Sequence, residues 1–373
     1  MQPRDLSDHV PYEAGRGIEE VARELGADPG TLTKLASNEN PLGPSPAASE
    51  AIREAADSAS TYPTAAHTDL TAAVADAWSV ADEQIWLGNG GDGALDYLSR
   101  AMLNPGDEVL VPAPGFSYYG MSARYHHGEV TEYALSADDG FAMDADAVLD
   151  AYDGERIVYV NSPHNPTGRV MALDEIARVA RETGDETLVV VDEAYGEYAD
   201  APSAVSLVGG DASKPAGLSD ATETRETRED VAVVRTFSKA YGLAGVRLGY
   251  AVVPEAWADA YARVNTPFAA SEVACRAGLA AMDDRDHVEQ SLETAAWARE
   301  YMQEHIEAQV LPSAGNFVLA NVGDGTEVYE QLKRRGVIVR DVSSYGLPEW
   351  VRITCGDREQ TRTAVAELNE VLG

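Results

Sequence analysis

Lys239 is the first residue to consider, because lysine is scarce in this chain. It lies in the segment RTFSKAYGLAGVRLGY, residues 235–250, and the only other lysines among the 28 basic residues are Lys34, Lys214 and Lys333. A buried lysine amine can lose its proton and form a Schiff base with a carbonyl group, which a guanidinium cannot do. The retention of Lys239 beside small residues and glycines therefore indicates amine chemistry. The alternative is an ordinary solvated lysine.

Four further polar residues follow apolar, strand-like runs or lie close behind them. Asp192 ends the run TLVVVD, and Tyr195 comes three residues later; Asn165 lies in NSPHNPTGRV after RIVYV; Arg247 lies eight residues after Lys239. A buried carboxylate needs a cation or a hydrogen-bond donor beside it, and an amide can donate to an anionic oxygen. The alternatives are that Asp192 only caps the next helix and that NPTG is an ordinary turn.

A glycine-rich loop, GNGGDG, covers residues 88–93 between a strand-like and a helix-like segment. It satisfies GxGxxG, and Glu108 lies near the spacing of a ribose-binding acid, so an NAD-dependent oxidoreductase is one alternative. The pattern is weak alone, because any strand–glycine turn–helix unit presents backbone amides that can bind one phosphate. We therefore predict a single phosphate site here, ahead of a dinucleotide site or a plain tight turn.

The elements that must position these residues alternate regularly along the chain. Apolar runs rich in Val and Ile recur at 84–88, 107–112, 156–161, 187–193 and 231–237, with helical stretches such as GALDYLSRAML and MALDEIARVARETG between them. This alternation predicts an α/β fold with a mostly parallel central sheet flanked by helices. The carboxyl ends of parallel strands share one edge of the sheet, and ligands bind there.

The chain changes character after about residue 270. Long helical segments, SEVACRAGLAAM and VEQSLETAAWAREYMQEHI, precede the strand-like segments NFVLANV, GVIVRDV and EWVRITCG and a closing helix. This order predicts a separate, smaller α+β unit. Residues 209–230 are polar and aperiodic, and we interpret them as a surface insertion.

The net charge of −35 is the most unusual feature of the composition. Acidic residues are spread along the chain, which indicates adaptation to high salt, where screening removes self-repulsion. Such a charge argues against a nucleic-acid surface. Cys275 and Cys355 have neither a disulfide framework nor metal-ligand spacing, and we expect reduced thiols and no metal. With no apolar leader and no run of 18 apolar residues, we expect a cytoplasmic protein with no membrane partner.

The strand-end segments together offer an amine, a carboxylate, an amide, a guanidinium and a phosphate-binding loop. Pyridoxal 5'-phosphate matches such a set, since it carries an aldehyde, a pyridine nitrogen, a phenolic oxygen and a phosphate. Its use as an electron sink requires a lysine Schiff base and an acidic partner at the ring nitrogen. The residues therefore predict pyridoxal phosphate as the cofactor, held by Lys239 and Asp192.

The whole chain resembles the fold-type I aminotransferases and, more narrowly, the histidinol-phosphate aminotransferases. The resemblance rests on LASNENPLGPSP, TYPTAAHTDL, APGFSYYGM, NSPHNPTG, VVVDEAYGEY, RTFSKAYGLAGVRLGY and LPEWVRITCG, which occur in this order. NPTG, DEAY and SKAYGLAGxRxGY are specific as a set. The resemblance implies a large cofactor-binding domain at 36–268, a small α+β domain at 269–373, and an N-terminal segment, 1–35, that packs with the small domain.

The resemblance also implies a role for each matching residue. Lys239 is expected to form the Schiff base, Asp192 to pair with the ring nitrogen, and Tyr195 and Asn165 to bind the phenolic oxygen. Phe116, where many relatives carry Tyr, is expected to stack on the cofactor ring. The residues expected around the cofactor phosphate are Gly90, Gly91, Asp92, Ser238 and Arg247. The residues expected to contact the substrate are Tyr12, Asn40, Arg340 and Arg352.

The implied reaction transfers an amino group between L-histidinol phosphate and 2-oxoglutarate in L-histidine biosynthesis. The resemblance implies a homodimer in which Tyr62 reaches the cofactor phosphate of the other subunit. Threonine-phosphate decarboxylase and aromatic amino-acid aminotransferases share the fold and remain alternatives, as does the more distant NAD-dependent oxidoreductase. A regulator that only senses pyridoxal phosphate is disfavoured, because the sequence contains no basic DNA-binding module.

Overall fold

The computed structural model describes residues 1, 6–7, 9–12, 15–63, 67–211 and 227–373. The strands are β1 Thr33–Lys34, β2 Ile85–Asn89, β3 Glu108–Ala113, β4 Glu129–Ala134, β5 Ile157–Asn161, β6 Leu188–Asp192, β7 Val231–Thr236, β8 Leu248–Val252, β9 Gln309–Val310, β10 Phe317–Asn321, β11 Val337–Ile338, β12 Arg340–Asp341 and β13 Trp350–Thr354. The α-helices are α1 Ile18–Leu25, α2 Pro46–Ala56, α3 Thr68–Trp78, α4 Gly90–Met102, α5 Tyr118–Tyr125, α6 Ala145–Leu149, α7 Leu173–Thr183, α8 Ala258–Val264, α9 Glu272–Asp283, α10 Arg285–His305, α11 Gly325–Arg334 and α12 Arg358–Leu372.

The central sheet has the strand order β2-β8-β7-β6-β5-β3-β4. Strands β3 to β7 pair in parallel, whereas β8 runs antiparallel to both β2 and β7. The prediction of a mostly parallel sheet is confirmed. Strands β4 and β8 were not singled out from the sequence, because β4 is an edge strand with alternating polar residues and β8 contains a glycine.

Helices cover both faces of this sheet, which explains why its strands are apolar without interruption. Val158 and Val160 point into one core cluster, whereas Ile157 and Tyr159 point into the other. All four side chains are fully buried. This alternation is the two-residue period of a strand with a core on each side.

The carboxyl ends of the parallel strands meet at one edge, where Asn161 is the register partner of Asp192 and Asp192 that of Val234. Strand β2 points the same way, so the glycine turn that begins at Gly90 lies at this edge. Glu108, in contrast, is the first residue of β3 and lies at the opposite, amino edge. Glu108 therefore cannot serve as a ribose-binding acid for the glycine turn, and the NAD-dependent alternative is wrong.

A second, antiparallel sheet has the order β12-β13-β10-β9. Strand β1 pairs in parallel with β11, and the backbone of Leu35 is hydrogen-bonded to both Ile338 and Thr354. Helix α1 joins the same region, because Val21 packs in one cluster with Ala36 and Ile338. These contacts support the predicted packing of the N-terminal segment with the small domain.

The border between the two domains stays a prediction. Helix α9 packs against α2 and α3, which belong to the large unit, and α10 packs against β10 and α12 of the small one. This packing favours a border after Asp283 over the predicted one at 268. The proposed insertion at 209–230 lies mostly outside the described residues. No helix in the described part of the chain is long and apolar enough to cross a membrane.

Candidate active site

A cavity of about 390 Å³ lies between the carboxyl edge of the central sheet and the small sheet. Its size is in the range of small-molecule sites. Most of the residues that the sequence singled out line it. They are Tyr12, Gly91, Asp92, Phe116, Asn165, Asp192, Tyr195, Ser238, Lys239, Arg247, Arg340 and Arg352.

Lys239 follows β7 and reaches into this cavity. Its Nζ donates to the carbonyl oxygen of Ser37 at 3.5 Å and lies 5.5 Å from the ring centre of Tyr195. Burial lowers the pKa of Lys239 to about 8, and the Arg352 guanidinium acts in the same direction. Because desolvation disfavours the ammonium form, more of this amine is neutral near pH 8 than in a solvated lysine. Its position in the cavity wall and its hydrogen bond to Ser37 argue against the alternative of an ordinary solvated lysine.

Asp192 ends β6 and is buried at the base of the cavity. Its Oδ2 accepts a hydrogen bond from the hydroxyl of Tyr119 at 2.7 Å, and its Oδ1 accepts one from the backbone N–H of Ala194 at 2.9 Å. Burial raises the pKa of Asp192 to about 6, while these two hydrogen bonds lower it. The Asp192 carboxylate both caps the following turn and faces the cavity. The two interpretations from the sequence, a capping residue and a site carboxylate, are therefore both correct.

The glycine turn opens helix α4 and brings a helix N-terminus to the cavity. Gly90 has φ +71°, and a Cβ on it would lie within 3.0 Å of the Arg247 guanidinium. Arg247 Nη2 pairs with Asp92 at 3.1 Å, and its Nη1 donates to Ser238 Oγ at 3.4 Å. The backbone amides and the positive dipole end of a helix N-terminus, together with a guanidinium, make an anion site.

Asn165 and Tyr195 lie on adjacent strand-end loops and are tied to other parts of the chain. Asn165 Oδ1 accepts from Arg352 Nη1 at 2.5 Å, and the hydroxyl of Tyr195 accepts from Asn38 Nδ2 at 2.9 Å. Burial raises the pKa of Tyr195 to about 12, so its hydroxyl keeps its proton at neutral pH. Both side chains are therefore held in place facing the cavity, and NPTG is more than a plain turn.

Arg340 and Arg352 approach from the small sheet as a cross-strand pair. They are register partners in the antiparallel pair β12–β13, so their side chains share one face. Arg352 is buried, and its Nη2 donates to the carbonyl oxygen of Ala36 at 3.0 Å. Two guanidiniums at one wall of the cavity suit a doubly charged anion.

This geometry agrees with what the chain is similar to. Residues 31–368 match the family model for aminotransferase class I and II. The chain belongs to this family. It is similar to the histidinol-phosphate aminotransferases of Halorubrum lacusprofundi and Natronomonas pharaonis, each 64 % identical over 372 residues, which is 100 % of this chain and 98 % and 100 % of those proteins. Both relatives come from halophilic archaea, in keeping with the expectation drawn from the net charge.

Solved structures confirm the fold class. The structure of histidinol-phosphate aminotransferase from Sinorhizobium meliloti in complex with pyridoxal-5'-phosphate matches with a TM-score of 0.84 and 26 % identity, over 100 % of this chain and 97 % of that one. An aspartate aminotransferase from Thermus thermophilus, a double mutant, matches with a TM-score of 0.79 and 26 % identity over 100 % of both chains. This aminotransferase therefore has the fold-type I architecture, which two differently named enzymes share.

Three predicted site residues of this aminotransferase do not line the cavity. Gly90 lies just outside it and opens α4. Asn40 is buried, and its Nδ2 donates to the carbonyl oxygen of Ala240 at 2.9 Å and to Ser291 Oγ at 2.8 Å. It therefore holds the backbone beside Lys239 and is not placed to contact a substrate.

Tyr62 also lies away from the cavity of its own chain. It is 84 % exposed and stacks on Phe268, another exposed aromatic residue, with ring centres 4.9 Å apart. Two exposed, stacked aromatic rings are unusual on a surface that faces only water. The expected contact of Tyr62 with another subunit's cofactor concerns a second chain and stays a prediction.

Sequence reasoning missed two residues that position the aminotransferase site. Tyr119 holds Asp192, and Asn38 holds Tyr195. Asn38 could have been predicted, because it lies in the segment LASNENPLGPSP, and an asparagine in a turn-rich segment is a common positioning residue. Tyr119 carries no such signal, since an aromatic residue in an amphipathic helix is usually a core residue.

Proposed function

We propose that this aminotransferase transfers the amino group between L-histidinol phosphate and 2-oxoglutarate, giving imidazole acetol phosphate and L-glutamate in L-histidine biosynthesis. The observation that carries the proposal is the cross-strand pair Arg340 and Arg352 at the cavity wall opposite the strand ends. Two guanidiniums provide four or more donors in fixed geometry, which suits a phosphate dianion better than a single carboxylate. Relatives that carry this enzyme's name match the whole chain.

The residues of the cavity fit pyridoxal phosphate as the cofactor. The N-terminus of α4 with Ser238 and Arg247 would hold its phosphate, Lys239 would hold its aldehyde carbon, and Asp192 would pair with its ring nitrogen. Phe116 lines the cavity as an aromatic surface on which a ring can stack. When bound, pyridoxal phosphate supplies an electron sink for the charge that develops at the substrate's Cα.

Lys239 is the residue that moves the proton. With a pKa of about 8, its amine is neutral often enough to take the proton from the substrate's Cα, and in ammonium form it can return one. General bases work best when their pKa lies near the working pH. Burial in the cavity therefore turns a lysine, whose ordinary pKa is near 10.5, into an effective base.

Asp192 and Tyr195 would control the cofactor's polar atoms. Asp192, held in its ionised form by Tyr119 and the Ala194 amide, would keep a proton on the ring nitrogen. Tyr195, which stays protonated below about pH 12, would donate to the phenolic oxygen, with Asn165 beside it. Fixed donors and charges of this kind stabilise developing charge without reorganisation.

We also propose that the enzyme works as a cytoplasmic homodimer with shared active sites. The exposed pair Tyr62 and Phe268 supports a second chain at this surface. The small-molecule partners are the phosphorylated amine and 2-oxoglutarate or glutamate.

The test is an amino-transfer assay in molar KCl with purified protein, which compares histidinol phosphate with phenylalanine, tyrosine and threonine phosphate. We expect the highest kcat/KM with histidinol phosphate. A higher value with an aromatic amino acid, or release of CO₂ from threonine phosphate, would replace the proposal by the corresponding alternative.

A lysine variant connects this activity to the site. Lys239→Arg should abolish transfer, because a guanidinium cannot hold the cofactor or shuttle the proton. Lys333→Arg is the matched control: Lys333 is a buried lysine that does not line the cavity and pairs with Glu24 at 2.9 Å and Glu330 at 2.6 Å, and arginine can keep both ion pairs. Turnover by Lys239→Arg at the level of the control would refute the assignment.

A further inference from the structure

An ion pair that no role assigned above explains lies in the wall of the active-site cavity. Lys34 Nζ and Glu39 Oε2 are 2.8 Å apart, and both residues line the cavity together with Arg340 and Arg352. The Lys34 side chain is 19 % exposed and that of Glu39 51 %. Exposed ion pairs contribute little to stability, about 0–1 kcal/mol. Stability alone therefore does not account for a pair placed here.

The backbone on both sides of this pair is firmly held. Lys34 ends β1, which pairs with β11. Glu39 lies between two buried asparagines: Asn38 is hydrogen-bonded to Tyr195, and Asn40 is hydrogen-bonded to Ser291. The two side chains can therefore change partners while their attachment points stay fixed.

Glu39 also acts electrostatically on the reacting amine. Its negative charge raises the pKa of Lys239, against the larger lowering effect of burial. A carboxylate in this position is unexpected, because both proposed substrates are anionic and a lone Glu39 would repel them. Its presence indicates that one substrate offers a hydrogen-bond donor at this wall.

The two substrates of the proposed reaction differ at the group that must meet this wall. Histidinol phosphate carries a phosphate where glutamate carries its α-carboxylate, and either anion can lie against Arg340 and Arg352. The remaining groups are an imidazole ring, which can donate an N–H, and a side-chain carboxylate, which can only accept. The same cavity must therefore bind the imidazole ring in one half-reaction and the side-chain carboxylate in the other.

We propose that Lys34 and Glu39 distinguish these two groups: Glu39 accepts the imidazole N–H of histidinol phosphate, and Lys34 binds the side-chain carboxylate of glutamate and 2-oxoglutarate. Each residue releases the other when its substrate group arrives, and they pair again when the cavity empties. This inference rests on the proposed function, and it assigns specificity roles to a pair that the sequence pattern left unexplained.

The test measures the two half-reactions separately in Glu39→Gln and Lys34→Met. We expect Glu39→Gln to lower kcat/KM for histidinol phosphate about 10-fold or more, as for one charge-assisted hydrogen bond, with a smaller change for glutamate. Lys34→Met should do the reverse. The ratio of the two kcat/KM values therefore moves in opposite directions in the two variants. A ratio that stays constant, or moves the same way in both, overturns the inference.

A binding measurement tests Lys34 without turnover. Glutarate is a dicarboxylate that cannot react, and calorimetry should show that it binds the holoenzyme at least about 10-fold more weakly in Lys34→Met than in the parent, but not more weakly in Glu39→Gln. Equal glutarate affinity in the parent and in Lys34→Met would refute the role of Lys34.

The control uses an ion pair of the same kind away from the cavity. Arg53 Nη1 and Glu50 Oε2 are 2.9 Å apart on the exposed side of α2. Glu50→Gln and Arg53→Met should leave both half-reactions and glutarate binding unchanged. If the parent enzyme fails with histidinol phosphate altogether, the proposed function fails, and the glutarate measurement still decides the role of Lys34.

Discussion

The hydroxyl of Tyr119 donates a 2.7 Å hydrogen bond to Oδ2 of Asp192, and both residues are buried. The Tyr119 ring is fixed in turn by stacking on Tyr159, with ring centres 4.6 Å apart. A residue on helix α5 therefore orients the carboxylate that would face the cofactor ring. Tyr119 is a positioning residue, since it acts through Asp192.

Tyr119→Phe should shift the pH dependence of the reaction. The hydrogen bond from Tyr119 lowers the pKa of Asp192, which burial raises to about 6, so its loss raises that pKa further. The acid limb of the kcat profile should then move to higher pH, with a larger loss of activity at pH 6 than at pH 8. Tyr133→Phe is the control, because Tyr133 is equally buried but donates to the carbonyl oxygen of Tyr159. Equal profiles for both variants would argue against the role of Tyr119.

Asp192→Asn should stabilise the cofactor-free protein at neutral and higher pH. The folded state binds the Asp192 proton more tightly than the unfolded state does, so ionisation of this carboxyl costs stability as pH rises from about 4 through 6. The shift from 3.8 to about 6 corresponds to about 3 kcal/mol at most. Denaturant unfolding in molar KCl should show the full gain at pH 8 and only a small part of it at pH 4. A gain that does not change with pH would contradict this origin.

Arg235 holds the loop that follows Asp192 through a buried ion triad. Its Nη1 and Nη2 pair with Glu193 and Glu197, each at 2.6 Å, and its guanidinium lies 5.0 Å from the Trp78 ring centre. Arg235→Met leaves two buried carboxylates without their cation, so it should cost about 3–5 kcal/mol of unfolding free energy.

The triple variant Arg235→Met, Glu193→Gln, Glu197→Gln provides the comparison, because it removes all three charges together. It should recover a large part of the loss in the same denaturation experiment. A triple variant as unstable as the single one would mean that packing, not unpaired charge, causes the effect.

The net charge of −35 predicts a strong dependence of stability on salt. At low ionic strength the acidic residues repel one another across the surface, and at 1 M salt the screening length falls to about 3 Å. The melting temperature should therefore rise with KCl from dilute buffer to molar concentrations and then level off. A melting temperature that is insensitive to KCl over this range would contradict adaptation to salt.

The sequence was most informative where strand pattern and residue type coincide. Asp192, Asn165 and Lys239 each follow an apolar run. Parallel strands bring the carboxyl ends of these runs to one edge of the sheet, so a local pattern predicts that residues far apart in sequence lie together in space. Arg340 and Arg352 were expected at the substrate from the resemblance, and their convergence depends on their register in β12–β13.

Other features depend on tertiary contacts that no local pattern encodes. Tyr119 resembles any core tyrosine until its hydroxyl is seen on Asp192, 73 positions away. Asn40 has the residue type of a binding amide, but its direction, toward Ala240 and Ser291, is set by how α10 packs. The domain border also depends on tertiary packing, because the contacts of α9 with α2 and α3 are not visible in the local sequence.

A variant of Arg340 tests whether the paired guanidiniums recognise a phosphate or a carboxylate. Arg352 is a poor test of this point, because its guanidinium also binds Asn165 and the Ala36 carbonyl, and its removal disturbs the site itself. Arg340→Ala removes one of the two guanidiniums at the wall, and the loss of one charge-assisted contact costs about 1.5–3 kcal/mol, or roughly 10- to 150-fold. We expect this loss in kcat/KM for histidinol phosphate.

Glutamate should be less affected by Arg340→Ala, since Arg352 alone can bind a single carboxylate in a bidentate manner. Arg335→Ala is the matched control on the same domain, because Arg335 forms a partly exposed ion pair with Glu367 at 2.8 Å. Both half-reactions are measured at the same molar KCl concentration, because salt screens these contacts. Equal losses for the two substrates would mean that Arg340 supports the small sheet. A loss confined to histidinol phosphate means that the paired guanidiniums select the phosphate.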